Sequence, residues 1–177
     1  MSRLRRSLPV DAIRSDPAGY CLTPAAGELD AVYVPIGMGS GICGLITVRD
    51  LLGLRTEIVG VVAAGAPAYA LSYRAGHPVS TEVAETFADG IATRSPDPVA
   101  LEIIRAGAAD VVTVTDEEIR SALRLLWSAT HNAAEGAGAA ALAGLLQRKE
   151  RHRGGRVGAV LSGGNISAHR LAAVLTP

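Results

Sequence analysis

Aromatic side chains are scarce: one Trp, one Phe and four Tyr in 177 residues. A core filled by large rings is excluded. The apolar half of the chain is mostly Ala, Val, Leu and Ile, which suits small, closely packed helices on a sheet. Net charge is missing too, with 17 basic residues against 17 acidic ones. Bulk attraction to nucleic acid or to an anionic membrane surface is excluded with it. No apolar run is long enough to cross a bilayer. Cys21 and Cys43 lack metal-ligand or redox spacing, so a reduced, cytoplasmic protein is expected. The basic start, Met1 to Arg6, has no apolar stretch behind it, and no signal peptide is expected. The scarcest chemistry is lysine. Sixteen arginines accompany one lysine, Lys149, in the charged stretch Gln147–Arg153. That stretch reads as a solvated helix end, whereas a Schiff-base lysine needs a desolvated pocket.

What is present is an alternation. Residues 1–27 show no clear period, and Pro9, Pro17 and Pro24 break any helix. From Leu29 onward, apolar strands at 31–34, 57–62, 110–114 and 156–161 alternate with helices at 42–52, 66–75, 97–106, 115–130, 137–147 and 168–175. Thr115 and Glu118 form a capping box. Pro98 fits the first position of its helix. Continuously apolar strands between helices predict an α/β fold: three layers, a mostly parallel sheet with helices on both faces. The expected division is an irregular segment 1–28 and an α/β domain 29–177.

A glycine-rich loop, Ile36-Gly37-Met38-Gly39-Ser40-Gly41-Ile42-Cys43-Gly44, joins the first of these strands to a helix. Glycines let the backbone approach an anion, and free amides at a helix N-terminus point at it. A second compact turn, Leu161-Ser162-Gly163-Gly164-Asn165, follows the last strand. Both belong on the rim where parallel strands end. Gly39, Gly41 and Gly44 also fit a dinucleotide-binding triplet, but that site needs an acid closing its second strand. The strand here ends Val61-Val62-Ala63-Ala64, and Glu57 opens it instead. A tight turn without a ligand is the plainer alternative.

Four segments in order resemble the pyridoxal-phosphate enzymes of the threonine dehydratase and serine racemase family. They are the loop 34–44, Phe87-Ala88-Asp89-Gly90-Ile91-Ala92, His131 to Ala140, and Leu161 to Asn165. The likeness spans roughly 29–170. It implies a fold type II large-domain portion, with pyridoxal 5'-phosphate as cofactor. The amides of Gly37, Met38, Gly39, Ser40 and Gly41 would hold the phosphate, and Ser162 would face the pyridine nitrogen. The implied reaction is β-elimination on L-threonine or L-serine, giving a 2-oxo acid and ammonia. A homodimer, or pairing with a separately encoded N-terminal half, comes with it. Read without the resemblance, Ser162 caps the last helix, Glu135 caps the one after it in sequence, Asp89 makes a turn, His131 ends a helix and Cys43 packs.

Two departures accompany the resemblance. The family's Schiff-base lysine precedes the phosphate loop, and no lysine precedes it here. No catalytic residue is therefore assigned, and a truncated, split or frame-disrupted gene is expected, inactive alone. Some members bind a divalent cation just after the second strand. The segment Val62–Ala68 offers no carboxylate, and no metal is expected there. A nucleotide-binding module, a non-catalytic partner subunit and a destabilised remnant without a role are the rival readings.

Overall fold

Side chains that alternate across a strand must find a core on each side of it, and here they do. The structure, a computed structural model, describes residues 29–176 and the backbone of two short strands, β1 (Ile13–Asp16) and β2 (Gly19–Leu22). These two pair antiparallel, Ile13 opposite Leu22 and Asp16 opposite Gly19. Four residues per strand are too few for an alternating pattern to stand out, so the sequence shows no period there. The rest of the expected irregular segment 1–28 lies outside the described residues.

The main sheet contains β3 (Ala31–Pro35), β4 (Glu57–Ala63), β5 (Asp110–Val114) and β6 (Val157–Ala159) in the order β5-β4-β3-β6. Every neighbouring pair is parallel: Ala31 stands opposite Glu57 and Val157, and Val59 opposite Asp110. One face buries Val32, Val34, Ile58, Val62 and Val111 against α1 (Ser40–Leu51), α2 (Ala68–Ala75) and α3 (Pro98–Gly107). The other buries Ala31, Tyr33, Val59, Val61 and Val112 against α4 (Asp116–Thr130), α5 (Gly136–Gln147) and α6 (Ala168–Leu175). Residues 31 and 33 go one way and 32 and 34 the other, as a period of two requires. The expected three-layer α/β architecture is the one observed.

Small residues set the spacing on the second face. An ideal Cβ on Gly144 of α5 would lie 2.8 Å from Val61 and 3.3 Å from Tyr33, so this helix lies directly against the strands. The helix ends follow local chemistry. Thr115 and Glu118 form their reciprocal capping box. Asp97 caps α3 by accepting from the Ala100 amide, with Pro98 at the first turn. Gly76 closes α2 in the left-handed region at φ 81°.

Most element ends fall within one residue of the sequence reading, α2 starts at Ala68 rather than 66, and two further differences have a local cause. Helix α1 starts at Ser40 rather than 42, because Gly39 takes φ 100° and ends the loop there. Strand β6 is three residues instead of six. The Val160 amide still reaches the Tyr33 carbonyl at 2.9 Å, and the chain then leaves the sheet. Among the described residues, no helix is long and apolar enough to cross a membrane.

Candidate functional site

Parallel strands bring their carboxyl ends, and the loops that follow, to one rim. β3 and β6 are neighbours and run the same way, so the loop after Pro35 and the loop after Val160 open side by side. Gly37–Gly41 and Ser162 therefore share that rim.

The first loop has its carbonyls occupied and its amides free. The Gly37 carbonyl accepts from the Thr93 hydroxyl at 2.9 Å, and the Met38 carbonyl from the Tyr69 hydroxyl at 2.8 Å. The Gly39 carbonyl accepts the Cys43 amide at 3.0 Å, the first bond of α1. Among the described residues, no acceptor meets the amides of Gly37, Met38, Gly39, Ser40 or Gly41. Five consecutive donors at the N-terminus of a twelve-residue helix make a seat for an anion. Ser40 is exposed and its hydroxyl stands beside them.

Two glycines of this loop are required sterically. A Cβ on Gly37 would lie 2.5 Å from the Gly90 carbonyl oxygen. A Cβ on Gly39 would lie 2.7 Å from that of Ala100, at a φ that side chains avoid. Gly44 has nothing within 4 Å. In a dinucleotide site the third glycine permits close helix–strand packing, and no such packing exists here. Glu57 lies at the opposite end of the sheet, in an ion pair with Arg151 at 3.0 Å. The dinucleotide reading loses both its third glycine and its acid.

The other expected segments converge on the same place. Gly90 meets Gly37 as described. A Cβ on Gly90 would lie 2.9 Å from Ala137 and 4.0 Å from a Glu135 carboxylate oxygen. The Glu135 amide donates to the Gly163 carbonyl at 3.1 Å, and a Cβ on Gly138 would lie 2.1 Å from that same oxygen. The stretches around 37, 90, 135 and 163 thus touch in a chain. Beside them opens a cavity of about 1020 Å³ lined by Asp89, Arg120, Glu135, Asn165, His169 and Arg170 among others.

The plainer roles divide. Ser162 does not cap α6: Ser167 does, accepting from the Arg170 amide. Ser162 is exposed and bonds to no described residue. Glu135 stands at the N-cap of α5, but its carboxylate makes no capping bond. His131 ends α4 in the left-handed region, with Nδ1 3.1 Å from the Trp127 carbonyl oxygen. Asp89 opens a single 3-10 turn. Cys43 packs against α3, its thiol 3.6 Å from the Ala100 carbonyl oxygen. Burial, with Asp97 nearby, pushes that thiol up, away from a reactive thiolate.

Lys149 starts a 3-10 turn that leads into the beginning of β6, at the end of the sheet opposite the rim. It is exposed and stands across the length of the sheet from the amides of residues 37–41. Among the described residues, no cluster of His, Cys, Asp and Glu could hold a metal ion. Tyr69 and Thr93 carry no motif and are missed by sequence reasoning. A lone tyrosine in the alanine-rich start of α2 is the one hint, and its partner lies 31 residues back.

The family model described as pyridoxal-phosphate dependent enzyme matches residues 20–163. An L-threonine ammonia-lyase of Geobacter sulfurreducens is 39% identical over 144 residues, 81% of this chain and 36% of that protein. A phenylserine dehydratase of Ralstonia pickettii is 37% identical over 144 residues, again 81% of this chain and 44% of that protein. The processed form of threonine deaminase isoform 2 from Solanum lycopersicum superposes with a TM-score of 0.79 at 29% identity, covering 84% of this chain and 41% of that one. The chain spans about a third to a half of the length of these relatives.

Proposed function

We propose a function from one premise: the chain belongs to the pyridoxal-phosphate-dependent enzyme family. The family's cofactor is pyridoxal 5'-phosphate. Our reading is that this chain is the cofactor-seating portion of a threonine/serine ammonia-lyase-like enzyme. That enzyme would take a β-hydroxy-α-amino acid, L-threonine or L-serine, to a 2-oxo acid and ammonia. One observation carries the reading: five amides with no acceptor among the described residues share a rim with a serine hydroxyl that bonds to none of them.

The donor set suits the cofactor. Amides of Gly37 to Gly41, reinforced by the dipole of α1, would hold the phosphate dianion. Ser162, beyond the end of the adjacent strand β6, would donate to the pyridine nitrogen. A hydroxyl is neutral, so it cannot keep that nitrogen protonated as a carboxylate would. When bound, the cofactor supplies an electron sink for the substrate's α-carbon, and a weaker sink suits loss of a β-leaving group. Gly37 and Gly90 cross so closely that no side chain fits between them on that side of the loop.

The amine that would fix the cofactor's aldehyde is not Lys149, which faces the other end of the sheet. We assign that lysine to sequence outside these 177 residues, on a longer chain or a separately encoded half. A cytoplasmic setting and assembly as a homodimer or with such a half belong to the same reading.

Titration with pyridoxal 5'-phosphate, followed by amide shifts in the 177-residue chain, tests it. Saturable movement at 37–41 and 162–164 is expected, with no dehydration of threonine by this chain alone. Turnover should appear when a lysine-bearing N-terminal half is supplied. An absence of any saturable response at residues 37–41 would remove the reading, and turnover by the isolated chain would remove its division of labour.

A further inference from the structure

Tyr69 is almost wholly buried, at 1% exposure, yet its hydroxyl sits under the surface loop. It donates to the Met38 carbonyl at 2.8 Å and accepts from the Asp97 amide at 3.1 Å. One phenol therefore ties the loop to α2, on which it stands, and to the cap of α3. Thr93 does the same one peptide earlier, donating to the Gly37 carbonyl at 2.9 Å.

A trans peptide is planar, and its C=O and N–H point in opposite directions. No peptide bond among the described residues is cis. The Gly37 carbonyl shares its plane with the Met38 amide, and the Met38 carbonyl shares its plane with the Gly39 amide. Drawing the first carbonyl toward Thr93 aims the Met38 N–H outward. Drawing the second toward Tyr69 aims the Gly39 N–H outward. Burial pushes the Tyr69 phenol up, so it keeps its proton as a donor. Gly39 is needed for this approach, since a Cβ there would lie 3.2 Å from the hydroxyl.

We propose that Tyr69 and Thr93 are positioning residues that each aim one amide of the anion seat, Tyr69 that of Gly39 and Thr93 that of Met38. The proposal rests on the reading of this loop as a phosphate seat. It also gives α2 a role in building the seat that needs neither a carboxylate nor a metal. The segment 62–68 before α2 carries no acid, and the loop is braced by a phenol from that side instead.

The test uses the isotopically labelled 177-residue chain, titrated with inorganic phosphate and, separately, with pyridoxal 5'-phosphate. Amide shifts at Met38 and Gly39 are read individually. In the unaltered chain both should move. Tyr69→Phe should weaken both ligands about three- to tenfold, the effect of one lost hydrogen bond, and suppress the response of Gly39 more than that of Met38. Thr93→Val should give the reverse pattern, and Thr93→Ser should restore it. The threonine pair decides the question without touching the buried ring. Unchanged affinity and unchanged shifts in both Tyr69→Phe and Thr93→Val would overturn the proposal while leaving the phosphate reading intact. A silent loop in the unaltered chain would overturn both, and is told apart by needing no variant.

Discussion

Glu135 and Gly163 hold each other: the Glu135 amide donates to the Gly163 carbonyl at 3.1 Å, and a Cβ on Gly163 would fall 2.3 Å from a Glu135 carboxylate oxygen. This contact fastens the start of α5 to the turn that carries Ser162. Two alanine substitutions probe it differently. Gly163→Ala meets the far end of a flexible side chain, which can move aside. Gly138→Ala meets the Gly163 carbonyl itself at 2.1 Å, which cannot move without losing the Glu135 bond. Gly138→Ala should cost about 1–3 kcal/mol by urea unfolding, and Gly163→Ala less than about 1 kcal/mol. Equal costs would mean that the turn is not fastened there.

Ser162 is exposed and bonds to no described residue, so Ser162→Ala should leave unfolding within about 0.5 kcal/mol of the parent. Under the proposed function its effect falls on the cofactor. The absorbance of pyridoxal 5'-phosphate titrated into Ser162→Ala should differ from the parent in its pH profile. Ser162→Asp should shift that profile toward a protonated ring nitrogen. Spectra identical across all three chains would place the ring away from residue 162.

Gly37 and Gly44 separate the proposed phosphate loop from the dinucleotide triplet. Gly37→Ala drives a methyl to 2.5 Å from the Gly90 carbonyl oxygen and should abolish measurable phosphate binding. Gly44 lies in a helix interior with free space around it. Gly44→Ala should stabilise the chain by about 0.5–1 kcal/mol and leave phosphate binding unchanged. Lost binding in Gly44→Ala would revive the triplet.

The capping box of α4 sets a pH dependence. Burial pushes the Glu118 carboxyl up, but bonds from the Thr115 amide and hydroxyl and from Gln147 together outweigh it, and the carboxyl titrates below its usual range. The folded chain thus binds that proton less readily than the unfolded chain. The group's stabilisation is complete above the ordinary glutamate value of about 4.3 and is lost as pH falls through the depressed folded value. Glu118→Gln should be less stable than the parent at neutral pH, and the gap should close in acid. Thr115→Ala should cost about 1 kcal/mol at pH 7. A gap that is constant with pH would show that the carboxylate's charge plays no part.

Periodic and capped elements are legible in the sequence because their causes are local. Strand 110–114 and helix 168–175 are found at their observed bounds, and Thr115 and Asp97 mark helix starts through their side-chain caps, Gly76 a helix end through its left-handed backbone. β6 reads too long because Val160 and Leu161 continue its apolar run, whereas pairing with β3 stops it. In the site, Gly37–Gly41 and Ser162 are visible because they lie in contiguous turns after strands. Tyr69 and Thr93 are not, because their hydroxyls act on carbonyls 31 and 56 positions away and leave no local pattern. Glu135 is visible only as a helix-start residue, and its closeness to Gly163 depends on two loops meeting.

The loop's shape is inherited from further along the chain: Thr93, Tyr69 and Gly90 sit behind it, and α3 fills the space under Gly39. Residues 34–44 transplanted into a foreign strand–helix turn would carry their glycines with them and leave their conformation behind. Likewise, a fragment of this chain that stopped before Thr93 would keep every letter of the motif and only part of its geometry. The unit that can be grafted is therefore the loop together with its backing through α3, not the glycine string.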